Sequence, residues 1–93
     1  MYPKNTATPR PLYAKVANAL DGAPITTGVV AYHIHGDDRN PVDGDPAEHI
    51  ANGLWIYTPT RAEGNYDAFS IEFYHTDAIG HGPIVRVLTG PEE

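Results

Sequence analysis

Short segments in which apolar and polar residues alternate occupy most of the chain after its first eleven residues. The longest lies at 67–75, where Phe69, Ile71 and Phe73 alternate with polar residues and one tyrosine. Side chains alternate between the two faces of a strand, so these three residues share one apolar face. A period of two with one polar face predicts an antiparallel sheet that is covered on one side.

Further segments of the same kind predict the remaining strands. They lie at 12–18, 21–28, 29–35, 54–58 and 83–89. Five or six short strands in about a hundred residues predict an all-β fold, a single antiparallel β-sandwich. Between them, 36–46 is expected to be a long polar loop. One helical turn is expected at 58–65, because Thr60 and Glu63 have the spacing of a capping box.

The buried face of two predicted strands has to be chosen from the residue types. In the segment "VVAYHIH", we expect Val30, Tyr32 and Ile34 to face the core, which turns His33 and His35 outward.

In the segment "LWIYT", either Trp55 and Tyr57 or Leu54 and Ile56 point inward. Tryptophan is usually well buried, so we place Trp55 in the core. The alternative is an outward pair of aromatic residues that forms a docking patch.

The first eleven residues form a distinct segment, called the arm below. They combine Pro3, Pro9 and Pro11 with small polar residues. Prolines favour extended conformations, and the arm lacks an apolar face of its own. We therefore expect residues 1–11 to be an extended N-terminal arm with nothing of its own to fold against, and 12–93 to be the sandwich domain.

Charge is distributed unevenly between the arm and the domain. The net charge of −6 argues against a nucleic-acid-binding surface. Lys4, Arg10 and Lys15 are the only charged side chains before Asp21, whereas every acidic residue lies from there onward. A basic arm on an acidic body predicts docking on another acidic surface or on a copy of the same chain. The alternative is that the surface charge only keeps the protein soluble. Tyr2, an isolated aromatic residue on the arm, is its expected anchor.

Histidines and aspartates raise the possibility of a metal site. His33 and His35, at positions i and i+2 of a strand, leave the same face, and Asp37 follows closely. A third ligand would come from elsewhere in the chain. The candidates are His49, His75, His81 and Asp38. A metal site and solvated histidines both fit this pattern, and we favour solvated histidines and no metal.

Catalytic motifs are missing from the sequence. It contains no cysteine and only one serine, Ser70, which lies in the middle of a predicted strand. It also lacks a G-x-S-x-G motif and a glycine-rich phosphate loop. We expect a protein without enzymatic activity or cofactor. The sequence shows neither an export signal nor an apolar run long enough to cross a membrane.

Two stretches, "ALDGAPITTGVVAYHI" and "NGLWIYTPTRAEGNYDAFSIEFYHTDAIGHGPIVRVLT", resemble small immunoglobulin-like β-sandwich modules of tailed-bacteriophage structural proteins. The first shared element contains Asp21, Gly22, Pro24, Ile25, Thr26 and Gly28. The second contains Gly53, Trp55, Tyr57, Pro59 and Thr60, and a corner contains Thr60, Ala62, Glu63 and Asn65. These are turn and core motifs, so the resemblance concerns the fold and the biological context.

The resemblance implies an immunoglobulin-like fold and a structural or accessory role in the head, neck or tail of a virion. The expected partners, on which the protein docks through its N-terminal arm, are other virion subunits or copies of this chain, with no nucleic acid and no membrane. Assembly in the host cytoplasm is the expected route to the particle. One alternative is an immunoglobulin-like module that binds a host-surface protein or glycan through loops 36–46 and 76–83. A second alternative is a small metal-binding β protein.

Overall fold

The computed structural model describes residues 2–90, which form eight β-strands. They are β1 (Tyr2–Pro3), β2 (Leu12–Lys15), β3 (Val30–His35), β4 (Asp38–Pro41), β5 (Glu48–Ala51), β6 (Leu54–Tyr57), β7 (Ala68–Tyr74) and β8 (Ile84–Gly90). One short 3₁₀ helix, Ile79–His81, precedes β8. Met1 of the predicted arm and residues 91–93 of the predicted domain lie outside the described residues.

The strands form two sheets. One has five strands in the order β1-β8-β7-β3-β4, and the other has three in the order β2-β6-β5. All pairs are antiparallel except β1 with β8, which is parallel. The all-β prediction is confirmed, and two sheets around a shared core are compatible with a β-sandwich. No helix within residues 2–90 is long and apolar enough to cross a membrane.

The core lies between the two sheets, and both contribute to it. The predicted apolar face of β7 is confirmed, because Phe69, Ile71 and Phe73 are buried. The other sheet contributes Trp55 and Tyr57 of β6, which confirms the inward placement of Trp55. The indole Nε1 of Trp55 donates a hydrogen bond of 2.8 Å to the carbonyl oxygen of Ile25. This bond satisfies the one polar atom of the tryptophan in the core.

The predicted orientation of β3 is wrong. Ala31 and His33 are buried, whereas Val30 is 48% exposed. The cause is the pairing with β7, where Ala31 lies opposite Phe73 and His33 opposite Ile71. Residues opposite one another share a face, so the small alanine and the histidine occupy the core side. The larger apolar residues of β3 therefore lie on the side away from the core.

Two strands were missed. β4 lies within the predicted loop 36–46 and pairs with β3 across the turn Gly36–Asp37, so the loop prediction is wrong there. β5 pairs with β6 across Asn52–Gly53, and both turn residues have positive φ. Two-residue turns of this kind favour glycine and asparagine. The pattern of apolar residues does not predict β4, because all four of its residues are exposed at the edge of the sheet.

The arm is folded against the domain. Tyr2 and Pro3 pair with Thr89 and Gly90 of β8, and both are buried. The expectation that the arm has nothing of its own to fold against is wrong for this strand. The physical reason is that the edge of β8 offers unpaired backbone groups and that Phe69 offers an apolar surface to the Tyr2 ring.

Candidate functional site

A buried carboxylate organises the corner between β6 and β7. The predicted capping box is formed: the Thr60 N–H donates to Glu63 Oε1 at 2.9 Å, and the Glu63 N–H donates to Thr60 Oγ1 at 3.2 Å. The turn closes with a hydrogen bond of 3.1 Å from the Gly64 N–H to the Thr60 carbonyl oxygen. The predicted helical turn therefore exists as a single hydrogen-bonded turn, and its glutamate points inward.

Glu63 also links this corner to the segment after β4. It is only 4% exposed, and its Oε2 accepts a hydrogen bond of 3.0 Å from the Asp43 N–H. The hydroxyl of Tyr57 donates to Glu63 Oε1 and accepts from the Gly44 N–H at 3.2 Å. Burial, together with the hydrogen bond to Glu63, raises the pKa of Tyr57 above its usual value. The carboxylate therefore stabilises the fold, because it accepts hydrogen bonds from donors in three parts of the chain.

His33 belongs to the same network. Its Nε2 lies 3.0 Å from the carbonyl oxygen of Glu63. A carbonyl oxygen only accepts, so Nε2 carries the proton and donates. The ring stacks on Phe69, with centroids 5.4 Å apart and an interplanar angle of 24°. His35, which is exposed, lies against Tyr66 with ring centroids 4.0 Å apart.

The structure does not assemble the metal site that the histidine spacing allowed. Asp37 lies in the exposed β3–β4 turn, and the Nε2 of His33 is engaged with a carbonyl oxygen. His49 accepts a hydrogen bond from the Gly53 N–H, and His75 Nδ1 accepts one from the Asp77 N–H. Within residues 2–90, no group of three histidine, aspartate or glutamate side chains could hold a metal ion.

An open cleft of about 540 Å³ lies beside the buried network. Its lining includes His33, Asn40, Asp43, Glu63 and Tyr66. One aromatic ring and several polar groups therefore meet at the surface between the segment after β4 and the turn before β7. The sequence does not predict this cleft, because its residues come together through the pairing of β3 with β4 and through the hydrogen bonds of Glu63, which join distant parts of the chain.

The side of the five-stranded sheet that points away from the core is called the outer face below. Its centre holds Glu72, whose Oε1 accepts a hydrogen bond of 2.8 Å from Arg39 Nε. The guanidinium of Arg39 lies 3.8 Å from the centroid of the Tyr32 ring, and a second ring, Tyr74, packs edge-on against Tyr32. This cover explains why Glu72 is only 9% exposed although it faces away from the core.

Large apolar side chains on β3 and β8 are also exposed on the outer face. Val30 is 48% exposed, and Ile84 and Leu88 are each 56% exposed. Register places them on this face, because Val30 lies opposite Tyr74 and Ile84 lies opposite Glu72. Several exposed apolar side chains on one sheet face are typical of a surface that binds another protein.

The four predicted partner-binding residues of the arm region lie in different environments. Tyr2 is buried against the domain, and Lys4 Nζ lies 2.8 Å from Asp67 Oδ1. That ammonium holds the pKa of the Asp67 carboxyl below its usual value. Arg10 is exposed, and its backbone bonds to the Tyr2 hydroxyl. Lys15 is exposed on β2, in the other sheet.

Comparison of the chain with protein-family models, with curated proteins and with solved structures finds no significant match.

Proposed function

We propose that this protein is a non-enzymatic structural or accessory protein of a tailed-phage virion, which docks on neighbouring subunits. The observation that carries the proposal is the outer face, on which Val30, Ile84 and Leu88 each expose about half of their surface. Burying these side chains against a partner removes apolar surface from water, and that favours association.

The strand order supports an immunoglobulin-like topology as part of this proposal. The order β2-β6-β5 corresponds to the B, E and D strands of such domains, and β8-β7-β3-β4 corresponds to G, F, C and C′. β1 is an additional parallel strand beside β8. The resemblance of residues 18–89 to phage modules, carried by turn and core motifs, points in the same direction.

Charge on the outer face suggests the chemistry of the partner. Arg86 lies on β8 between Ile84 and Leu88, is exposed, and faces the same side because it pairs with Ser70. A partner surface that combines apolar side chains with a carboxylate would complement this row. Lys15 is exposed on β2 in the other sheet, where it would meet a different acidic neighbour.

Co-sedimentation with particles that lack this protein tests the proposal. Purified wild-type protein is added back, and the bound fraction is compared with that of Ile84→Glu and Leu88→Glu. Leu20→Glu is the matched control, because Leu20 is 96% exposed on a turn outside the five-stranded sheet. We expect the control to bind like the wild type and the two outer-face variants to bind roughly tenfold or more weakly. Equal binding of all four proteins would contradict the proposal.

The cleft favours a second candidate, the binding of a host-surface glycan. Tyr66 offers a ring face, and Asn40 and Asp43 offer hydrogen-bonding groups, at an opening of about 540 Å³. Apolar ring contacts with a few polar groups are the usual composition of a small-ligand site. A glycan array probed with the purified protein tests this candidate. Binding that is lost in Tyr66→Ala would favour it over the structural role.

A further inference from the structure

The arm closes one edge of the five-stranded sheet through a short strand. β1 contributes two residues, Tyr2 and Pro3, in parallel beside Thr89 and Gly90 of β8. The other strands of this sheet pair antiparallel. Without β1, β8 would be the free edge, and a free edge is a template for a strand from another chain.

A pocket beneath β1 is shaped for an aromatic ring. The Tyr2 ring packs edge-on against Phe69, with centroids 5.8 Å apart and an interplanar angle of 84°. Gly64 leaves room for it, because a Cβ there would lie 3.3 Å from Tyr2 Cε1. Phe69 is only 2% exposed when the ring is in place. The Tyr2 ring therefore covers part of the Phe69 ring and helps to keep it out of water.

Several hydrogen bonds of the arm join two residues of the arm to each other. The Tyr2 hydroxyl accepts from the Arg10 N–H and donates to the Arg10 carbonyl oxygen, both at 3.2 Å. Thr6 Oγ1 accepts from the Thr8 N–H at 3.1 Å. Residues 2–10 can therefore leave the domain as a unit without breaking these bonds. The Tyr2 hydroxyl therefore keeps its hydrogen bonds to Arg10 whether or not the arm is docked on its own domain.

Apart from the pairing of β1 and the buried Tyr2 ring, three polar contacts at the surface hold the arm to the domain. Lys4 pairs with Asp67, and the Asn5 N–H donates to the Gly64 carbonyl oxygen at 3.2 Å. Arg61 Nε donates to the carbonyl oxygen of Asn5 at 3.1 Å. A second copy of the arm would find the same partners on any copy of the domain.

We propose that residues 2–10 are exchanged between two copies of this chain, so that Tyr2 of one copy fills the pocket beside Phe69 of the other. Pro9 and Pro11 flank the connection to β2 and favour an extended backbone there. The closed and exchanged forms make the same contacts, so concentration decides between them. On a particle, where the proposed function makes copies neighbours, the high local concentration favours exchange.

Isotope-mixed cross-linking tests this exchange on the native chain. Unlabelled and ¹⁵N-labelled protein are unfolded together in urea, refolded at micromolar to millimolar concentration and treated with a carbodiimide. This reagent joins an amine directly to a carboxylate, and Lys4 Nζ lies 2.8 Å from Asp67 Oδ1. The chain has only two lysines, Lys4 and Lys15, so the linked peptides are readily assigned by mass spectrometry. Lys4→Arg, which keeps the charge but does not react, is the matched control.

We expect Lys4–Asp67 products that combine a labelled with an unlabelled peptide, rising with concentration toward about half of the cross-linked product. Products that always join peptides of the same label, up to millimolar concentration, would overturn the proposal. Both outcomes are separate from the particle experiment, because the cross-link reports only contacts between copies of this chain. Exchange without particle binding would refute the proposed function and leave the exchange standing.

Discussion

Replacement of Glu63 by alanine is the sharpest test of the buried network. The carboxylate accepts hydrogen bonds from the Thr60 N–H, the Asp43 N–H and the Tyr57 hydroxyl. In Glu63→Ala all three donors lose their acceptor at once. The loss of the acceptor is most costly for the Tyr57 hydroxyl, because the residue is only 2% exposed and water cannot readily replace the carboxylate.

The expected loss of stability follows from these three donors. A buried donor left without a partner costs about 1–3 kcal/mol. Asp43 is exposed, so water can take over its N–H, whereas the hydroxyl of Tyr57 is deep in the core. The Thr60 N–H is partly buried and also loses its acceptor, so two donors at about 1–3 kcal/mol each lower the expected free energy of unfolding by about 2–6 kcal/mol. Small domains are stabilised by only about 5–15 kcal/mol in total, so the variant should be close to unfolding.

Urea denaturation followed by tryptophan fluorescence measures this loss. Trp55 is the only tryptophan, and it is 5% exposed in the core, so its emission reports unfolding. Glu72→Ala is the matched control, a second buried glutamate whose partner Arg39 is partly exposed. We expect that control to cost about 1 kcal/mol. A Glu63→Ala variant whose stability falls by no more than the control would refute the structural role of the network.

Three further outcomes are expected in the same denaturation assay. His33→Ala should lower the free energy of unfolding by about 2–3 kcal/mol, because packing on the core is lost, whereas His35→Ala should lower it by less than about 1 kcal/mol. Equal losses for the two variants would contradict the burial of His33 on β3. Gly53→Ala should cost about 2 kcal/mol or more, because φ is +82° and a Cβ would lie 2.8 Å from a backbone oxygen. Gly22→Ala, where φ is also positive but nothing lies near the new Cβ, should lower the free energy of unfolding by about 1 kcal/mol. A larger loss for Gly22→Ala than for Gly53→Ala would contradict the expected clash at Gly53. The raised pKa of Tyr57 means that the folded state keeps a proton that the unfolded state loses near pH 10. Stability should therefore fall by up to about 1.4 kcal/mol per pH unit above pH 10, and Tyr57→Phe should show a shallower fall.

The parts of the fold that the sequence predicts correctly rest on strong local patterns. In β7, Phe69, Ile71 and Phe73 are strongly apolar, whereas Ser70 and Glu72 between them are polar, so the buried face is unambiguous. Trp55 fixes the face of β6 in the same way. The capping box at Thr60 and Glu63 depends only on a spacing of three residues, and it is formed.

The errors arise where distant parts of the chain decide the outcome. β3 contains apolar residues on both faces, and pairing with β7 selects the face with Ala31 and His33. The same inversion exposes Val30 and creates part of the outer face. β5 has a local signal in the sequence, because Asn52–Gly53 is a strong hairpin turn that predicts a strand on either side.

The candidate sites were less accessible from the sequence than the strands. Glu63 was noted as a capping residue, but its contact with Asp43 spans twenty positions and depends on the course of the chain after β4. The parallel pairing of β1 is likewise long-range, because it joins Tyr2 to Thr89. Periodicity describes single strands, so it could not show which sheet edge would accept the arm.

The presence and copy number of this protein in purified virions test the central proposal most directly. Particles from cells that make the protein are purified by density gradient, and its amount relative to the major capsid subunit is measured by quantitative mass spectrometry. We expect a fixed ratio that matches the symmetry of a head, neck or tail structure and that falls sharply when Ile84→Glu replaces the wild type. Recovery of the wild-type protein only in the fractions free of particles would contradict a structural role in the virion.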